Sequence, residues 1–169
     1  ESQPPPGEWG EVVPPISSNA DFYVTCYFGI ANVDICNWTL EFAIRGQAAV
    51  ELNAERMYAL QGRQKEHTLQ CIESRPTLMK MDNAVWTGLP LREVLDALGV
   101  TLDEGLTGIR FLCADTYEVG LPIEELDIPI WLCWEMNGER LPPEHGFPAR
   151  MFCPGRYGWQ NAKQLVAID

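Results

Sequence analysis

The sequence predicts a strand-rich α+β domain with two or three short helices. Several segments alternate apolar and polar residues as half-buried strands do, one segment shows clear helical spacing, and an Asn137-Gly138 pair after an apolar run is typical of a tight hairpin. A chain of 169 residues can bury one hydrophobic core, and no internal repeat divides it. We therefore expect one domain over residues 19–169, preceded by an extended proline-rich arm over residues 1–18.

Two strands are predicted in the first half of the chain. The strand over residues 38–46 has apolar side chains at every second position, and these share one face: Trp38, Leu40, Phe42 and Ile44. The strand over residues 66–74 carries on one face His67, Leu69 and Cys71. We expect the first face to be buried and Cys71 to stand at the end of its strand.

Two helices are predicted between and after these strands. The first covers about residues 53–61, because Asn53 is a suitable N-cap and Gly62 follows the last turn. The second is the clearest element of the chain, since Pro90 suits a first helical turn and Gly99 closes the helix. Its apolar face comprises Leu91, Val94, Leu95 and Leu98.

The second half of the chain is again strand-like. Strands are predicted at about residues 108–114 and 130–136. Asn137-Gly138 follows the second of these directly and predicts a two-residue hairpin turn.

The charge balance excludes two classes of partner. Twelve lysines and arginines stand against 24 aspartates and glutamates, which gives a formal net charge of −12. Such a chain repels nucleic acid phosphates and anionic lipid headgroups. The longest apolar run, residues 128–134, is far shorter than the ~20 residues of a membrane-spanning helix. We expect neither nucleic acid binding nor a membrane span.

Cys71 differs from the other cysteines in what surrounds it. The six cysteines form no C-x-x-C pair, which argues against a zinc ribbon, and most lie in apolar runs where a free thiol packs as a small hydrophobe. Cys71 is followed by a polar stretch in which Arg75 and Lys80 would favour the thiolate, the form that binds soft metals or acts as a nucleophile. As the base of a cysteine hydrolase, His67 would be about 13 Å away along the strand, so only His145 could serve.

The segment 145–163 gathers cations in an acidic chain. Arg150, Arg156 and Lys163 can donate charge-assisted hydrogen bonds to a phosphate. The glycines between them allow backbone N–H groups to turn towards an oxyanion. From these residues alone, an anion site and a basic loop that pairs with surface carboxylates are equally good interpretations.

The order of several motifs resembles one family. In chain order they are DFYVTCYF, VDICNWTLEFAIRG, TLQCIES, DNAVWTGLPLREVLDALGV, CADTYEVGLPIEEL and MNGERLPPEHGFPARMFCPGRYGWQNAKQLVAI. Together they cover nearly all of residues 21–168 and resemble the oxidoreductase molybdopterin-binding domain of the sulfite oxidase family, especially its small bacterial members. The resemblance implies a sulfite oxidase-like fold, a molybdopterin cofactor with molybdenum, and oxygen-atom transfer on a sulfite-like or sulfoxide substrate. The partner it implies is thus a small-molecule substrate or a redox partner.

The resemblance also implies roles for particular residues. Cys71 would be the protein ligand of the molybdenum, and the catalytic cavity would be bordered by Asp115 and Tyr117. The cofactor would be held by His145, Arg150, Arg156, Tyr157, Gly158 and Lys163.

Three departures from the family pattern keep a second interpretation open. The early segment reads Thr25 to Phe28 where the family carries polar side chains, and Thr116 and Gln164 replace the usual glycine and tryptophan. An apolar Phe28 cannot replace the hydrogen bonds of an amide. The alternative is a cofactor-free homologue that serves as an accessory or structural subunit of a larger complex, membrane-bound ones included, and docks through its N-terminal arm.

The start of the chain bears on its compartment. It begins at Glu1 without a methionine and shows no signal-peptide core, which indicates either processing or trimming. With the habit of the family, this predicts a location in the periplasm or in an organellar lumen after processing.

Overall fold

A computed structural model describes residues 15–44, 47–75, 77–102, 105–124 and 129–169. Its strands and α-helices, in chain order, are β1 (Thr39–Phe42), β2 (Val50–Asn53), α1 (Ala54–Ala59), β3 (Arg63–Gln70), β4 (Met81–Pro90), α2 (Leu91–Leu98), β5 (Gly108–Cys113), β6 (Glu118–Pro122), β7 (Trp131–Met136), β8 (Glu139–Arg140), β9 (Arg150–Phe152) and β10 (Leu165–Ile168). Short 3-10 helices cover Pro143–His145 and Gly158–Gln160. The expected strand-rich α+β architecture is confirmed.

The strands form two sheets. One has the order β2-β1-β10-β5-β6, in which β1 and β10 are parallel and the other neighbours are antiparallel. The other is antiparallel with the order β3-β4-β7-β8, and β9 also pairs with β7. The larger of the two core clusters packs side chains of both sheets together with α2, whose buried face includes Leu91, Val94 and Leu95.

Several predicted elements are confirmed with shorter bounds. β1 covers four residues of the predicted strand 38–46, whose last two positions lie outside the described residues. Asn53 caps α1, since its Oδ1 accepts from Arg56 N at 2.9 Å. Asn137 and Gly138 both have positive φ angles, 54° and 81°, as the predicted two-residue turn requires. Pro90, in contrast, is the last residue of β4 and precedes the first turn of α2.

Two predictions need correction around Cys71. The strand predicted over residues 66–74 ends at Gln70, because the chain turns at Ile72–Glu73 with Ser74 N bonded to Cys71 O. The polar stretch after Cys71 contains the start of β4, which the sequence does not predict. β4 is a central strand buried on both faces, so its side chains do not alternate between apolar and polar.

The predicted arm over residues 1–18 falls mostly outside the described residues. Its first 14 residues are not described, while its last four lie beside β4. Ser17 N donates to Asn83 O at 2.9 Å, and Ser17 Oγ donates to Asp82 Oδ1 at 2.7 Å. This contact brings the following segment, residues 19–27, to the end of the second sheet.

Candidate functional site

A cavity of about 190 Å³ lies where the end of β3, the β5–β6 turn and the segment 145–163 meet. It is lined by seven of the nine predicted site residues: Cys71, Asp115, Tyr117, His145, Arg150, Gly158 and Lys163. Arg156 and Tyr157 stand next to Gly158 in the chain but are not among the described residues that line it. The cavity therefore joins the two candidate sites of the sequence, the cysteine and the basic segment.

Cys71 lies directly after β3 and is buried. Its N–H donates to Lys80 O at 2.9 Å, and its carbonyl accepts from Ser74 N at 3.0 Å, so the backbone holds it in a fixed turn. A bridge between Gln70 and Tyr157 brings this turn against the basic segment. The ammonium of Lys80, expected to favour the thiolate of Cys71, is 2.8 Å from the Glu73 carboxylate.

Arg150 is a buried cation that pairs with no carboxylate within the described ranges. Its side chain is 2% exposed, its Nη1 donates to the His145 carbonyl at 2.9 Å, and its Nε is buried without an acceptor. Burial lowers the pKa of Arg150 below its ordinary value. Burying a guanidinium without a counter-charge destabilises the fold unless an anion binds to it.

His145 is held by the segment that precedes the cavity wall. Its Nε2 lies 2.8 Å from Asn19 O, an acceptor only, so this nitrogen carries the proton and donates it. Phe22 packs edge-on against the imidazole, with centroids 5.4 Å apart. Burial lowers the pKa of His145, and the Arg150 charge lowers it further. Since Nε2 is committed to Asn19, the ring nitrogen of His145 that keeps a lone pair to act as a base is Nδ1.

Lys163 also points into the cavity region rather than to surface carboxylates. Its Nζ donates to Thr25 O at 3.1 Å, to Cys26 Sγ at 3.1 Å and to Glu144 O at 2.8 Å. Burial lowers the pKa of Lys163. The interpretation of the segment as a basic loop that pairs with surface carboxylates is thus wrong for Arg150 and Lys163.

Aromatic side chains surround the mouth of the cavity. Tyr117 N donates to Asp115 Oδ1 at 3.1 Å across the β5–β6 turn, where Thr116 has a positive φ of 72°. The Tyr117 ring stacks on Tyr27, with centroids 5.6 Å apart and planes 2° apart. Phe28 is 66% exposed and does not line the cavity, so it does not fill the space between Cys71 and Arg150.

The sequence interpretation missed Tyr23 as a site residue. Its hydroxyl is buried without a partner and lines the cavity, and burial raises its pKa. A Cβ built on Gly158 would lie 3.1 Å from Tyr23 Oη and 4.0 Å from Cys71 Cα, so a side chain there would require the Tyr23 hydroxyl to shift by a few tenths of an ångström. The tyrosine precedes the cavity wall in the motif DFYVTCYF, and only the fold brings it beside Cys71.

The described residues contain neither a cluster of metal-ligating side chains nor a helix suited to cross a membrane. No group of three or more His, Cys, Asp and Glu side chains within them is arranged to hold a metal ion. No helix found there is long and apolar enough to cross a membrane.

Comparisons with known proteins agree with this arrangement. A nitrate reductase of Phytophthora infestans is 38% identical over 92 residues, 50% of this chain and 10% of its own length. The mitochondrial sulfite oxidase of Rattus norvegicus is 26% identical over 192 residues, 99% of this chain and 35% of its own length. The chain thus spans about a third or less of these relatives.

A solved structure shares the fold. The sulfane dehydrogenase SoxCD from Paracoccus pantotrophus superposes with a TM-score of 0.79 at 20% identity, over 90% of this chain and 43% of that one. The family model for the oxidoreductase molybdopterin binding domain matches residues 27–169, which include all nine predicted site residues. The chain therefore belongs to the family of oxidoreductase molybdopterin-binding domains that includes sulfite oxidase and nitrate reductase.

Proposed function

We propose that this domain holds a molybdenum-bearing molybdopterin in the cavity and transfers an oxygen atom to or from a sulfite-like anion or a sulfoxide. The observation that carries the proposal is Arg150, a buried guanidinium in the same cavity as the Cys71 thiol, whose Nε is unpaired and which has no carboxylate partner among the described residues. An anionic phosphate group and a thiolate-binding metal are the two partners that these groups lack. The residues therefore fit this cofactor.

Each wall of the cavity has a distinct task in this proposal. Cys71 is the protein ligand of the metal, and the turn at residues 71–74 fixes its backbone. Arg150 and His145 hold the phosphate end, and Gly158 leaves room beside Cys71. The cofactor supplies the oxygen-atom exchange when bound, while the protein supplies its position and its electrostatics.

Arg156 and Tyr157, the two other predicted cofactor ligands, do not line the cavity. Tyr157 bridges to Gln70 through the backbone and so aligns Cys71 with the basic segment. Arg156 N donates to Cys153 O at 3.1 Å, which closes the turn before Tyr157. We assign both a supporting part in the site, with Asp115 and Tyr117 at its entrance.

The test is metal and pterin analysis of protein purified from its native source. We expect stoichiometric molybdenum, and pterin fluorescence after denaturation. Cys71→Ala should lose the metal, whereas Cys36→Ala, at an exposed cysteine away from the cavity, should keep it. Native protein free of both metal and pterin would refute the proposal. Sulfite oxidation and sulfoxide reduction assays on the loaded protein then identify the substrate class.

The exposed wall of the cavity favours a second candidate function, that of a cofactor-free accessory subunit in a larger complex. Tyr27 and Phe28 are 68% and 66% exposed, and large exposed apolar side chains near each other are typical of interaction surfaces. Absence of metal and pterin, together with co-purification of a stable partner, would support this function instead. Arm deletion, residues 1–14, would show whether the arm carries the docking.

We also propose a location outside the cytoplasm, in a periplasm or an organellar lumen. The support is the rat relative, which is a mitochondrial protein by its name. Cell fractionation with an antibody against the native chain tests this proposal, and recovery only from the cytosol would contradict it.

A further inference from the structure

The loop of residues 24–30 forms one wall of the cavity without any regular structure. Thr25, Cys26 and Tyr27 of this loop line the cavity. Its two ends are fixed, because Tyr23 N donates to Asp82 Oδ2 at 2.7 Å and Ala31 N donates to Gln164 Oε1 at 3.1 Å. The position of the wall therefore depends on what holds the residues between these ends.

Lys163 holds them through two contacts. Its Nζ donates to Thr25 O and to Cys26 Sγ, both at 3.1 Å. Within the described part of the chain, residues 24–30 have no other hydrogen bond. A third bond, from the same Nζ to Glu144 O at 2.8 Å, ties the loop to the 3-10 helix that carries His145.

Apolar burial contributes little to fixing the loop. Val24, Tyr27, Phe28 and Ile30 are between 45% and 68% exposed. The stack of Tyr27 on Tyr117, with Phe28 tilted beside it, is the main ring contact of the loop. A single stack on an exposed ring is a weak contact, so the half-buried ammonium of Lys163, with its three hydrogen bonds, is the principal anchor.

The donors of Lys163 are fully used. An ammonium has three protons and no acceptor, and three acceptors surround this one. Arg150 differs, because its Nε has no acceptor in the part of the chain that the structure describes. The two cations of the cavity are therefore not equivalent towards an anionic ligand.

We propose that Lys163 is a positioning residue that fastens the loop 24–30 over the cavity, while Arg150 supplies the free donor to an anionic ligand. The part about Lys163 stands on the contacts of the loop alone. The part about Arg150 rests on the proposed function, since it concerns the ligand's anionic group.

Limited proteolysis tests the anchoring role. Chymotrypsin cleaves after exposed aromatic residues, and cleavage at Tyr27 or Phe28 requires the loop to leave the surface, so its rate follows the open population. We expect Lys163→Met to raise this rate about tenfold or more relative to the rate in the wild-type protein. Lys163→Arg, which keeps a cation and donors, should restore most of the protection.

A second variant covers the case in which Lys163→Met does not fold. Cys26→Ala removes one acceptor of the ammonium and leaves Lys163 bound to Thr25 and Glu144. It should raise cleavage at Tyr27 about two- to threefold. Unchanged cleavage in every folded variant at Lys163 and Cys26 would overturn the anchoring role.

Calorimetric titration with inorganic pyrophosphate distinguishes the role of Arg150 from that of Lys163. Arg150→Met should lower the affinity of the protein for pyrophosphate at least tenfold, and Lys163→Met should lower it no more than about threefold. Equal losses, with cleavage at Tyr27 unchanged in Lys163→Met, would make Lys163 a direct ligand and refute the proposal. If pyrophosphate does not bind the wild-type protein, the anion site of the proposed function fails, while the cleavage rates still decide the role of Lys163.

Discussion

The guanidinium of Arg150 lies 4.8 Å from the ring centroid of Trp86. Trp86 stacks in turn on Phe152, with centroids 5.2 Å apart. Such a cation–π contact contributes about 0.5–2 kcal/mol, whereas burying a charge without a counter-ion costs several kcal/mol. The fold therefore keeps an unfavourable charge next to the cavity, as binding sites commonly do.

Replacing Arg150 with an uncharged residue should weaken ligand binding and raise the stability of the cofactor-free protein. Arg150→Met keeps the volume of the side chain and removes the desolvated cation, but it leaves His145 O without its donor. We expect the free energy of unfolding of the cofactor-free protein to rise by about 1 kcal/mol, and the molybdenum and pterin content to fall below detection. Urea denaturation and metal analysis measure the two effects. A loss of more than about 3 kcal/mol would show that Arg150 is chiefly a structural residue.

A methyl group at Gly158 should exclude the cofactor with little effect on folding. Its Cβ would lie 3.1 Å from Tyr23 Oη, at the point where Tyr23 and Cys71 approach each other. We expect Gly158→Ala to lower cofactor content several-fold while its unfolding midpoint stays close to that of the wild type. The double variant Gly158→Ala with Tyr23→Phe removes the crowded oxygen and should recover part of the cofactor. No recovery would place the obstruction elsewhere.

The strands and turns that the sequence predicts correctly have local causes. β1 alternates Leu40 and Phe42 with the exposed Glu41, and the Asn137-Gly138 turn needs only its own two residues. β4 is not predicted, because it is buried on both faces and starts with polar residues. One of these, Asp82, is used to hold Tyr23 and Ser17 rather than to face water. Because a polar residue of β4 bonds to a distant segment, the local sequence pattern does not predict this strand.

The site shows the same division between local and long-range information. Cys71 and Arg150 stand out in sequence by their neighbours, and the cavity contains both. Lys163 is also found by its charge, but its contacts with Thr25 and Cys26 span more than 130 positions of the chain. The hydrogen bonds of Lys163 to the loop can therefore be seen only in the folded chain.

The pairing of β4 with β7 leaves no room for a side chain at Gly88. A Cβ there would overlap Leu132 O and would lie 2.8 Å from Cys133 Cα, both backbone atoms that cannot move without opening the sheet. We expect Gly88→Ala to lower the free energy of unfolding by about 3 kcal/mol or more. Gly120→Ala, on a strand where the nearest atom is 3.8 Å away, is the matched control and should cost less than about 1 kcal/mol. Equal costs at the two positions would contradict the register of β4 and β7.

The two histidines should make the stability of the domain fall in weak acid. Burial lowers the pKa values of His145 and His67 below their usual value of about 6.5. Between about pH 6.5 and the lower folded pKa, the unfolded chain binds protons that the folded chain does not. Above about pH 7 the two histidines should therefore add no pH dependence to the free energy of unfolding. Below about pH 6.5 the free energy of unfolding should decrease as the pH drops. Urea denaturation at several pH values between about 5 and 8 measures this, and His145→Gln and His67→Gln should each reduce the slope. If both variants keep the slope of the wild type, the histidines are not the groups that titrate.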